Sequence, residues 1–133
     1  MGLSVFLGHH RFFLGSDSAP HPLHMKLAAH SCFGVFTSPY VLPLLAQLFE
    51  HMGCLDKLRS FACEFGRQFY GLEAAPESPT VRLIRVQEDD DDSVRRVQPL
   101  FKDSAEEEEP GLVVVPFKNG LELDWRIDPA SLQ

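Results

Sequence analysis

A small α/β fold is predicted by three features of this 133-residue chain. Residues 11–14, RFFL, are an apolar run without alternation, the pattern of a parallel strand covered on both faces. Residues 38–52 and 55–65 carry apolar side chains at helical spacing. Residues 81–86, 112–117 and 121–127 are short runs rich in Val, Leu and Ile that read as strands. The predicted order is a strand, a loop, two helices and a small antiparallel unit.

Each element has a local reason. Ser38 followed by Pro39 places a hydroxyl cap and a preset φ at a helix start, and Tyr40, Leu44, Leu45, Leu48, Phe49 and Met52 then share one stripe. Pro43 has no N–H for the carbonyl four residues back and is expected to bend that start. In the second helix Leu58, Phe61, Ala62 and Phe65 face inward, with Gly66 as its C-cap. Lys118-Asn119-Gly120 suits a tight hairpin joining the last two strands.

Composition narrows the function. A net charge of -7 argues against nucleic acid or an anionic membrane as partner, since both need clustered Lys and Arg. The excess acid lies in two runs, EDDDD at 88–92 and EEEE at 106–109, so residues 87–111 read as a solvated insert with a short strand near 97–101. The alternative for that insert is an acidic docking segment. Cys32, Cys54 and Cys63 have no metal or redox spacing; they read as small apolar residues in a reducing compartment, which makes the cytoplasm the expected location. The apolar run in MGLSVFLG is too short for a signal peptide or a membrane span.

The chemistry gathers after residue 14. In GSDSAPHP the carboxylate of Asp17 is followed closely by the imidazole of His21, in a loop stiffened by Pro20 and Pro22. At the C-terminal end of a strand such a pair can ligate a metal, move a proton or bind an anion; in isolation an Asp here is more often a turn residue. His24, His9, His10, His30 and His51 read as structural or exposed, and Lys26 as a flexible surface side chain.

FFLGSDSAPHP, FGVFTSPYVLPLLAQLFEHMGCLDKLRSFACEFGRQFYGL and VVPFKNGLELDWRI together resemble the C-terminal third of dihydroorotases of the homodimeric type, over about residues 8–127. The resemblance implies an amidohydrolase TIM barrel, with residues 1–80 as its last strand, active-site loop and helices, and residues 81–133 as a C-terminal β segment holding the acidic insert. It implies a two-zinc hydrolase of pyrimidine biosynthesis that interconverts N-carbamoyl-L-aspartate and L-dihydroorotate, homodimeric when complete. Asp17 matches the family's zinc ligand and proton shuttle, His21 a holder of the substrate α-carboxylate, and the main chain at Phe33 a further substrate contact. The family has CAGVF where this chain has CFGVF, which places a benzyl group beside that contact.

The family's other zinc ligands, a His-x-His pair, a carboxylated Lys and further histidines, have no counterpart here. The chain is therefore expected to be a fragment of a dihydroorotase, inactive and weakly zinc-binding by itself. The alternative is a non-catalytic remnant or interaction protein derived from the barrel.

Overall fold

The computed structural model describes residues 5, 7–73, 80–102 and 112–132. Among these the order is α1 (Leu23–Lys26), α2 (Val41–His51), a 3-10 turn (Leu55–Lys57), a π-helical segment (Ser60–Glu64), α3 (Phe65–Phe69), β1 (Leu83–Arg85), α4 (Asp92–Arg95), β2 (Leu100–Lys102), β3 (Leu112–Val114), β4 (Trp125–Ile127) and a closing 3-10 turn (Pro129–Leu132). The chain divides into two compact units, one of Met1–Gly15, Leu42–Gln87 and Asp124–Gln133, the other of Ser16–Val41 and Glu88–Leu123.

The first unit is built around α2. Ala46, Phe49, Cys54 and Leu58 form its buried centre, with Leu45, Leu55, Phe61, Ala62, Leu83 and Trp125 packed against it. The stripe is narrower than its spacing suggests: Leu48 and Met52 are exposed. Helix α2 begins at Val41 rather than beside Ser38, because Thr37 to Tyr40 form a turn closed by the Tyr40 N–H on the Thr37 carbonyl. Pro43 then falls on the third helical residue, where the missing N–H has no intrahelical partner to lose, so the helix gives up no hydrogen bond to it. The helix ends at Gly53, whose φ of +69° lets Cys54 N–H reach back to the Phe49 carbonyl at 2.8 Å and Gly53 N–H to Glu50 at 2.8 Å.

The second helical stretch runs on to Phe69 through a wide π turn at Ser60–Glu64. Its C-cap is Gly71, not Gly66: at φ +64° Gly71 allows Leu72 N–H to bond the Arg67 carbonyl at 2.9 Å. Gly66 serves packing instead. A Cβ built there would lie 3.1 Å from the Phe13 ring, which also meets Phe69 in a tilted contact and Tyr70 edge-on, with centroids 5.2 and 5.9 Å away. This corrects the expected strand at 11–14. The run carries no ladder; Leu14 N–H donates to the Phe61 carbonyl at 3.0 Å, and the Phe13 ring packs on helical aromatics while Phe12 meets His9.

The expected terminal hairpin is also absent. β4 pairs antiparallel with β1, Leu83 opposite Ile127, while β3 pairs antiparallel with β2, Leu100 opposite Val114. Asn119-Gly120 does make a turn, with Lys118 at φ +61° and Gly120 at φ +82°, but that turn clasps Val97: Gly120 N–H donates to the Val97 carbonyl at 2.7 Å and Val97 N–H to Leu121 at 3.0 Å. Val97 is fully buried as a result.

Part of the acidic insert is folded. Asp91 caps α4 by accepting from Ser93 N–H at 2.8 Å, Asp92 pairs with Arg96 at 3.0 Å, and Arg96 also pairs with Glu122. The strand foreseen near 97–101 is β2, beginning three residues later. The EEEE run lies outside the described residues.

Candidate functional site

Asp17, His21 and Phe33 all lie in the second unit, on two loop segments that the backbone holds together. Ser18 pairs with Val35 in a parallel bridge, and Ala19 N–H donates to the Val35 carbonyl at 3.0 Å. The Ser18 hydroxyl accepts from both Thr37 N–H and Ser38 N–H at 3.0 Å. These contacts fix the backbone that follows Asp17 against residues 35–38. Pro22 bridges to Val114 of β3, and Phe117 N–H donates to the Phe36 carbonyl at 2.8 Å, so the C-terminal part of the unit braces both segments.

Asp17 sits at φ +41°, a left-handed backbone that Asp tolerates better than most residues. Its side chain is exposed, and it makes no hydrogen bond or ion pair among the described residues. An Asp acting as a turn residue would bond nearby N–H groups. Here Ser18 fills that role, which leaves the Asp17 carboxylate available to a ligand. His21 is half-buried at the end of the same loop.

The segment carrying Phe33 is shaped by Gly34 and Lys26. Gly34 has a φ of +101° and its backbone abuts Ala19 so closely that a built Cβ would lie 2.4 Å from the Ala19 Cβ. Lys26, expected to be a flexible surface side chain, is half-buried and donates to the Cys32 carbonyl at 2.8 Å and the Gly34 carbonyl at 2.6 Å. The sequence signal for Gly34 was its place between large apolar residues; Lys26 offered none beyond its position in the loop.

The Phe33 side chain is 93% exposed, so the benzyl group that interrupts the CAGVF pattern packs on nothing described. His24 and the stacked pair His9 and His10 are exposed, as expected. Cys54 is buried and Cys32 half-buried, whereas Cys63 is exposed, contrary to its reading as a covered residue.

No cluster of three or more His, Cys, Asp or Glu side chains suited to a metal occurs among the described residues. Asp17 fits one oxygen ligand of such a centre, but a single carboxylate does not make one. No helix among the described residues is long and apolar enough to cross a membrane.

No family model matches the chain. Curated relatives do. The dihydroorotase of Alkalilimnicola ehrlichii is 38% identical over 120 residues, covering 90% of this chain and 31% of the relative. That of Erythrobacter litoralis is 41% identical over 120 residues, again 90% of this chain and 30% of the relative. The chain thus spans about a third of the length of these relatives. Among solved structures, the Saccharomyces cerevisiae dihydroorotase in complex with 5-fluoroorotic acid superposes with a TM-score of 0.73 at 28% identity, covering 94% of this chain and 32% of that one. The Campylobacter jejuni dihydroorotase gives 0.66 at 26% identity, covering 95% and 32%. In sequence and in fold alike, this chain is similar to about one third of a dihydroorotase.

Proposed function

We propose that this chain provides the Asp17 loop of a dihydroorotase, the enzyme that reversibly cyclises N-carbamoyl-L-aspartate to L-dihydroorotate in pyrimidine biosynthesis. The observation that carries the reading is the match at 38% identity over nine tenths of the chain to a dihydroorotase, with an unpartnered carboxylate at Asp17. In this reading residues 1–80 are the closing part of a TIM barrel and residues 81–133 a β segment behind it. The complete enzyme is a cytoplasmic homodimer.

Zinc, when bound, polarises the ring carbonyl and favours a hydroxide nucleophile at neutral pH. Asp17 would be one of its ligands, and the remaining ligands come from residues outside this sequence. The chain's own residues then have three tasks. Asp17 accepts the proton of the attacking water and delivers it to the leaving ring nitrogen, a shuttle that one carboxylate performs as base and then acid. His21 holds the substrate α-carboxylate. The Phe33 main chain makes a further contact with the substrate while its side chain stays clear in solvent.

A chimera tests this, with the matched third of the Alkalilimnicola ehrlichii dihydroorotase replaced by this chain. Hydrolysis of dihydroorotate with zinc is expected, and Asp17→Asn should lower turnover by about 10²- to 10⁴-fold. His21→Ala should raise KM and leave zinc content unchanged. The chain by itself should show no turnover. An inactive chimera beside an active parent enzyme would favour a non-catalytic interaction protein.

A further inference from the structure

We infer that Lys26 is a positioning residue for the substrate, acting through the main chain on either side of Phe33; this rests on the function proposed above. Its ammonium donates to the Cys32 carbonyl at 2.8 Å and the Gly34 carbonyl at 2.6 Å, the carbonyls on either side of Phe33. Every peptide among the described residues is trans. The Cys32 carbonyl and the Phe33 N–H belong to one planar unit and point in opposite directions, so a cation that fixes the oxygen also aims the N–H. The Gly34 carbonyl and Val35 N–H are coupled in the same way.

Three further observations make this a built device rather than a passing contact. Gly34, whose carbonyl accepts from the ammonium, sits at φ +101°, a conformation that a side chain would oppose, and Ala19 leaves no room there for a Cβ. Ser31 Oγ donates to the Lys26 carbonyl at 2.9 Å, tying the same loop from its other end. No carboxylate pairs with Lys26 among the described residues, so its charge is not neutralised by an ion pair. A positive charge on a carbonyl oxygen polarises the peptide and strengthens its N–H as a donor to an anion. The side chain of Phe33, 93% exposed, has no part in this.

Two measurements test the assignment. In the isotope-labelled full chain, Lys26→Met should move the amide signals of Phe33 and Val35 while leaving Leu58 in the first unit unmoved. In the active chimera, Lys26→Met should raise KM for dihydroorotate about tenfold, the loss of one hydrogen bond to a charged group, with kcat within about twofold and zinc content unchanged. Lys26→Arg, which keeps charged donors, should recover most of the affinity. Should the methionine variant fail to fold, Lys26→Gln replaces it and should raise KM at least about threefold. An unchanged KM, or a fall in kcat alone, overturns the positioning role while the proposed function stands. A chimera without activity when its parent is active removes the function itself and this inference with it.

Discussion

The two units of this chain are held by different forces. The first is organised by burial: Phe49 is 1% exposed, its ring lies 5.3 Å from that of Phe61, and Leu58, Cys54 and Ala46 close around it. Among its described residues the second buries few large side chains, Val97 and Leu123 among them, and it fixes its loops by hydrogen bonds: the Ser18 hydroxyl on two amides, Lys26 on two carbonyls, and a parallel bridge. Burial is non-directional and gives stability, whereas hydrogen bonds are directional and give geometry. The residues matched to chemistry lie in the unit that specifies geometry.

That contrast can be broken or sharpened by substitution. The largest effect on stability is expected from Phe49→Ala, which should cost about 3–5 kcal/mol by opening a cavity where the neighbours are already closed. The single tryptophan, Trp125, belongs to the first unit, with its indole N–H on Glu50 at 3.0 Å and Arg85 4.4 Å above its ring. Urea titration followed by its fluorescence therefore reports this loss directly. A change below about 1 kcal/mol would mean that the cluster is not what holds the unit.

A smaller effect should follow Gly34→Ala. The substitution forces a non-glycine residue to φ +101° and drives its Cβ into Ala19, a strain of about 1–3 kcal/mol with the overlap added. Amide signals of Ser18 and Val35 should shift while the Trp125 midpoint moves little. Equal displacement of both would show that the two units unfold as one, and would weaken the division drawn here. In the chimera the same substitution should raise KM, since the Phe33 peptide loses its support.

The smallest effect concerns pH. Bonding to Ser93 holds the Asp91 carboxyl below its ordinary pKa of 3.8. A lowered folded-state pKa means that the charged cap contributes above the unfolded value and is lost as pH falls through the folded one. Helix α4 should therefore loosen only below about pH 4, seen as loss of the Ser93 amide shift, and Asp91→Ala should abolish that transition. Persistence of the shift to much lower pH would show that Arg96, bridging Asp92 and Glu122, holds the helix without the cap.

Much of the local structure was legible in residue order. Helical spacing located the core residues Phe49, Leu58, Phe61 and Ala62, and Asn119-Gly120 marked a turn, because these signals depend on neighbours a few positions away. The candidate loop was marked for the same reason: Asp17 and His21 stand four residues apart, with prolines on both sides of His21. Pairing was not. β-Strand ladders join residues distant in sequence, and nothing in residues 112–127 says that β3 will choose Leu100–Lys102 and β4 will choose Leu83–Arg85 over each other. The apolar run at 11–14 had the composition of a strand, yet Gly66 left a gap that Phe13 fills, and packing decided its fate. Lys26 illustrates the limit most clearly. A lysine in a loop carries no local mark of its partners, since a long flexible side chain can reach many, and only the tertiary structure brings the carbonyls of Cys32 and Gly34 within its reach.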